Sequence, residues 1–194
     1  MAQGIYTNLK EVPENVHGMF ESSRIKESNH LYDVLATDGV GTDDENFINV
    51  DNGVALKLGD YTGVGLQERY GKVAEAGDAI VVSGAPAIVK NATTKAGEAP
   101  FNYFNRKGTS LKAYEIIDED IFAVASYQFT EGTKSLVKFG NYVVVNGDGL
   151  WKAVDSSSAP DANTYGFIGK IHSLSVGDYY TMVRIQTIKN APIA

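Results

Sequence analysis

From Phe47 onward the chain consists of short apolar runs cut apart by turns, and this rhythm decides its fold class. Val54, Leu56 and Leu58 alternate with Ala55 and Lys57, the period of two that places one face of a strand in a core. Runs of similar length follow at 69–74, 79–83, 87–90, 111–116, 121–127, 142–145, 150–154, 166–173 and 179–188. Glycine-containing turns separate many of them: Ala76-Gly77-Asp78, Glu131-Gly132-Thr133, Asn146-Gly147-Asp148-Gly149 and Ser175-Val176-Gly177-Asp178. Short strands at close spacing predict a mostly β protein, an antiparallel β-barrel or sandwich. Asp51-Asn52-Gly53, lying between 47–50 and 54–58, predicts a hairpin, because Asn-Gly supplies the positive φ angles of a tight turn. The last strands, together with 121–127, predict one small antiparallel barrel.

The residues before Phe47 have a different character. Val12-Pro13 reads as extended, since a residue before proline avoids the α region. Leu31, Val34 and Leu35 predict a short helix within 28–37. Residues 38–51 hold Asp38, Asp43, Asp44, Glu45 and Asp51 with no Lys or Arg, and Gly39 and Gly41 break any regular element. The expected organisation is an extended polar N-terminal arm with an acidic insertion over 1–46, then a β-rich domain over 47–194. A long central loop, 91–108, leaves room for two small β subdomains with a break near 91–110.

The chemistry-bearing residues point away from catalysis. The chain has no Cys, which removes disulfides, thiolate metal sites and a thiol nucleophile. His17, His30 and His172 stand far apart, in no metal-binding spacing. The acidic loop does not match the spacing of a calcium loop and reads as a solvated surface segment. Asp118, Glu119 and Asp120 are adjacent and read as a turn. No nucleophile elbow or phosphate loop is present. The balance of 17 Lys+Arg against 24 Asp+Glu, net −7, has the wrong sign for nonspecific nucleic-acid binding. No apolar run approaches the ~18 residues that span a bilayer. No secretory signal is readable at the first residues, so synthesis and retention in the cytoplasm are expected. Phe101, Tyr103 and Phe104 lie beside Arg106 and Lys107, a grouping that stacks on sugars or bases or anchors a protein contact. The net charge favours the protein contact. The residues therefore predict a non-enzymatic β module with no cofactor, no metal, no nucleic acid and no membrane.

The order of several segments resembles a family of small head proteins of tailed bacteriophages, the capsid decoration or minor structural proteins. Val12-Pro13 followed by Gly18-Met19-Phe20 resembles the family's arm. Asp51-Asn52-Gly53 with Leu58-Gly59-Asp60 resembles its "NG…LGD" hairpin, and Ala85-Pro86 the start of its central loop. Residues 101–105, Gly108, Leu111 and Ala113-Tyr114-Glu115-Ile116 resemble the exit from that loop. Asp120-Ile121-Phe122 resembles its "GDIF" with Glu119 in place of Gly. Val137-Lys138-Phe139-Gly140 and Gly169-Lys170-Ile171 resemble its C-terminal strands. Ser28 to Asn46 has no counterpart and stands as an insertion.

The resemblance implies a virion protein on the capsid surface, made in the host cytoplasm. It would bind the outside of the major capsid protein lattice and self-associate, a trimer being one arrangement. The expected partner contacts are Val12, Met19 and Phe20 of the arm, taken as 1–28, and Phe101, Tyr103, Phe104 and Arg106 of the loop. The alternative function is a carbohydrate- or cell-surface-binding β module displayed on a particle, resting on residues 101–104 and Trp151.

Overall fold

The computed structural model describes residues 18–25, 31–63, 67–85, 104–177 and 180–193. The chain is mostly β, as the turn-punctuated sequence predicts. Its strands are β1 (Phe20–Arg24), β2 (Leu31–Thr37), β3 (Ala55–Tyr61), β4 (Glu68–Val73), β5 (Val81–Ser83), β6 (Leu111–Glu115), β7 (Ile121–Ala125), β8 (Tyr142–Val145), β9 (Trp151–Val154), β10 (Phe167–Val176) and β11 (Thr181–Asn190). They build a closed barrel, in the order β2-β4-β3-β5-β6, and a six-stranded sheet, β1-β7-β11-β10-β8-β9. All pairings are antiparallel except β2 with β4.

Alternation gives each barrel strand an inner and an outer set of side chains. Val34, Ala36, Leu56, Val81, Leu111 and Ala113 form the inner cluster, joined by Val50 from the segment before β3. A barrel this narrow has room only for side chains. Gly71 marks the tightest point, because a Cβ there would stand 2.4 Å from the Cγ1 of Val34.

The outer set of the same strands makes a second core. Ala55 and Val82 of the barrel, with Ala74, Ile80 and Ile116, pack on Phe122, Val124, Val143, Trp151, Phe167, Val183 and Ile185 of the sheet. At its centre Trp151 lies 5.5 Å from Phe122 and 5.4 Å from Phe167, ring centre to ring centre, in tilted and edge-on contacts. Tilted geometries of this kind are the favoured ones for aromatic pairs.

Asp51-Asn52-Gly53 joins the two layers and does not turn a hairpin. Residues 47–50 do not pair with β3; Val50 instead exchanges backbone hydrogen bonds with Asn105 at 2.9 and 2.8 Å. Gly53 does take the positive φ that its residue type anticipates, at 82°. Around it the Trp151 indole donates to the Gly53 carbonyl at 2.9 Å, and Gly53 N–H donates to the Ser83 carbonyl at 2.7 Å. The Gln128 amide donates to the Asn52 carbonyl at 2.8 Å. Its Oε1 accepts from the N–H groups of Met19 and Ala125 at 3.0 and 2.9 Å.

Four other expectations are corrected. Residues 31–37 form a strand, not a helix, because β4 and β6 pair with them on both sides. The closed barrel is built by strands lying between Leu31 and Glu115, while the last strands form the open sheet. The boundary at 46/47 falls inside the barrel, since β2 precedes it and β3 follows it. The arm 1–28 is not a uniform segment, since 20–24 are a strand of the sheet.

The turn at 118–120 forms as expected, with Asp120 N–H donating to the Ile117 carbonyl at 3.1 Å. Glu119 sits there at φ 70°, alone among the described non-glycine residues in being left-handed. That conformation costs an L residue about 1–2 kcal/mol.

Two stability predictions follow from these sites. Gln128→Leu strips two buried hydrogen bonds and one partly buried one, and leaves their partners unpaired. It should lower unfolding free energy by about 2–4 kcal/mol in urea denaturation. Glu119→Gly should raise it by up to about 1 kcal/mol, the relief of strain being partly offset by the freer unfolded chain.

Candidate functional site

The residues expected to make contacts divide into three groups. Val12, Phe101 and Tyr103 lie outside the described residues. Met19 and Phe20 are half-buried anchors. Phe20 packs 5.1 Å from Tyr114 and 6.1 Å from Phe122, and Met19 packs beside Ala123, Ala125 and Met182 on the opposite face of the sheet. Phe104 is half-buried, and Arg106 is exposed, with its carbonyl accepting from the Thr109 hydroxyl at 2.5 Å. Trp151 is fully buried, so its ring is not open to stack on a sugar.

A concave site forms elsewhere, on the outer wall of the barrel. The loop 38–43 folds over β3 and β4 and leaves a groove of about 300 Å³. Tyr70, Lys57, Lys72, Asp60 and Thr42 line it together with the buried Thr37, and Val40 of the loop is 86% exposed. Strand parity explains the grouping. Lys57 pairs with Lys72, and Leu58 with Gly71, so Lys57, Lys72 and Tyr70 share the outer face.

The loop is held by its own polar groups. The Asp38 carboxylate accepts from Val40 N–H at 2.8 Å and from the Asn46 amide at 3.2 Å. Asp38 N–H donates to the Asn46 carbonyl at 2.9 Å. Gly41 is needed because a Cβ there would stand 2.5 Å from Asn46 Oδ1. The Val40 backbone hydrogen bond, with that from Asn46, holds the Asp38 carboxyl below the usual carboxylate range. Both lysines are engaged: Lys57 Nζ lies 2.5 Å from Asp78 and Lys72 Nζ 3.2 Å from Glu75. Lys57 is shifted upward, chiefly by its hydrogen bond to Asp78.

The mouth of the barrel carries a second cluster. The Arg69 guanidinium lies 5.2 Å from the Tyr61 ring centre and 5.8 Å from that of Tyr32. Its Nε donates to the Gly59 carbonyl at 2.9 Å. The Tyr32 hydroxyl donates to Glu115 at 2.9 Å, and burial followed by that bond pushes its pKa up. Tyr61 is 64% exposed. The cluster closes the mouth by cation–π contacts.

Neither site was named from the sequence. Tyr70, Lys57 and Lys72 look like ordinary outer residues of two strands, and only the pairing of β3 with β4 brings them together. Among the described residues no group of three or more His, Asp or Glu is placed to hold a metal ion. None of the described helices is long and apolar enough to cross a membrane. Comparisons with family models, with curated proteins and with solved structures return no match.

Asp38 gives a test of the groove wall. Its pKa is depressed, so its hold on the loop is complete above the ordinary carboxylate value of 3.8 and is lost as pH falls through the lowered value. Asp38→Ala should speed hydrogen exchange at Val40 N–H at neutral pH while leaving exchange in β3 and β4 unchanged. Wild type should reproduce that local change only in acid.

Proposed function

We propose that this chain is a non-enzymatic structural protein of a tailed-phage head, bound to the outer surface of the capsid through the major capsid protein. The observation that carries this reading is the ordered series of segments from Val12-Pro13 to Gly169-Lys170-Ile171. One departure in that series has a physical counterpart. The family-like "GDIF" segment has Glu119 where a glycine is expected, and Glu119 holds a left-handed backbone that glycine adopts without strain.

The edges of the fold supply the mode of attachment. The barrel is closed and offers no edge. The outer side of β9 is occupied, since Thr130 N–H donates to the Trp151 carbonyl at 2.8 Å and Ala153 N–H to the Thr133 hydroxyl at 3.3 Å. Strand β1 is the other edge, and among the described strands it pairs with β7 alone. Chain order puts residues 1–17 next to it. An edge strand with a preceding segment can add main-chain pairing to a neighbouring subunit. Many such contacts, repeated across a lattice and across copies associated about a closed symmetry axis, become strong together. The net charge of −7 keeps the free protein soluble before assembly.

Mass spectrometry of purified particles tests the assignment, and absence of the chain from mature virions overturns it. The mode of attachment has its own measurement. Deleting residues 1–17 should leave the melting midpoint unchanged and reduce co-sedimentation with capsids at least about tenfold. Deleting 1–25 should also destabilise the fold by about 3 kcal/mol or more, because Phe20 leaves the aromatic core.

A further inference from the structure

We infer that the groove between the loop 38–43 and strands β3 and β4 is a binding site for a neutral carbohydrate. The inference needs only the groove and does not depend on the particle role.

The volume, about 300 Å³, is at the lower end of small-ligand sites and admits one or two pyranose rings. The walls have two kinds of surface. Tyr70 and Val40 are apolar, and Val40 is 86% exposed at the rim, a position where a valine gains nothing from the fold itself. Gly59 lies beside Tyr70, where a Cβ would stand 3.6 Å from the Tyr70 Cβ, so the wall next to that residue is backbone without a side chain. The lining then supplies a hydroxyl from Thr42, a carboxylate from Asp60 and ammonium groups from Lys57 and Lys72. A pyranose has the matching surfaces: a face of C–H groups that packs on an aromatic ring, and an edge of hydroxyls that both donate and accept.

The charge on the rim selects a neutral ligand. Lys57 is bonded to Asp78 and Lys72 to Glu75. With Asp60 this makes two cations and three carboxylates, a local sum of 2 − 3 = −1. An anionic ligand would have to compete with Asp78 and Glu75 for the lysines. A neutral polyol adds hydrogen bonds without displacing them. The wall is also set in advance, since Asp38, Asn46 and the backbone of the loop are already hydrogen-bonded to one another. A preformed wall lowers the ordering cost of binding.

The test is a titration of the full chain, followed by amide NMR. The probes are glucose, galactose, mannose, N-acetylglucosamine, lactose, maltose and chitobiose, with sialyllactose and a heparin disaccharide as acidic probes. At least one neutral sugar should give saturable shifts confined to 37–42, 57–60 and 70–72. Tyr70→Ala should weaken that binding about tenfold or more. Val40→Asp should do so as well, and its exposed position leaves the fold intact even if Tyr70→Ala disturbs it. The inference is overturned if no neutral sugar shifts these residues, if only the acidic probes do, or if binding survives Val40→Asp unchanged.

Discussion

The carbonyls and side chains of Asp51, Asn52 and Gly53 hold the two layers of this fold in place. Trp151 from the sheet and Ser83 from the barrel both bond to this one segment. Gln128 ties it to the start of β1, and the Asn105 amide donates to Asn52 Oδ1 at 3.1 Å. The Asn52 amide in turn donates to the Ala85 carbonyl at 2.8 Å. The bonds from Trp151, Gln128 and Asn105 are buried, so losing any of them would leave a buried polar group unpaired. Glycine at 53 is required twice over: φ is 82°, and a Cβ would stand 2.6 Å from the Met19 carbonyl. The segment works as a polar rivet between layers whose contact is otherwise apolar.

That rivet sets the packing around it. The barrel and the sheet meet along Ala55, Val82 and the aromatic cluster of Trp151, Phe122 and Phe167, so the barrel has an inner core of its own and shares a second one with the sheet. Asn190 repeats the device. Its amide donates to the Ile80 and Ile116 carbonyls at 2.8 and 2.6 Å, while its Oδ1 accepts from Ile80 N–H at 2.8 Å. Two polar clamps beside an apolar seam fix the register of barrel on sheet. A purely hydrophobic seam would specify burial without specifying register.

Much of the strand content is legible in the sequence, and the way the strands assemble is not. The run 142–145 coincides with β8, and 111–116 and 121–127 overlap β6 and β7 closely. These are short runs rich in Val, Ile, Ala and Phe between turn residues, so local signals suffice. Leu31 and Leu35 mislead, since their spacing of four suggests a helix while the buried residues of that stretch include Val34 and Ala36, two apart. Long-range pairing with Arg69 and Leu111 decides the matter, and nothing within a ten-residue window contains it. Asn52-Gly53 misleads similarly: the glycine takes the expected backbone angle, but Asn105, from far along the chain, takes the place of the hairpin partner. The groove was invisible for the same reason, as Tyr70, Lys57 and Thr42 meet only through the pairing of β3 with β4 and the fold of the loop between.

The insertion and the family-like segments then have separate places in the molecule. Asp51-Asn52-Gly53, Ala113-Tyr114 and Asp120-Ile121-Phe122 lie at the rivet and the aromatic seam, where a change of residue would be felt throughout the fold. Residues 38–46, part of the insertion, wall the groove and touch neither core cluster through their own buried side chains. A loop held by internal hydrogen bonds can be remodelled without disturbing the seam. The demand for register and the local freedom to shape a groove are therefore met by different parts of one chain. The proposed particle attachment through the β1 edge and the proposed sugar contact through the barrel wall are compatible, because the β1 edge and the groove belong to different layers.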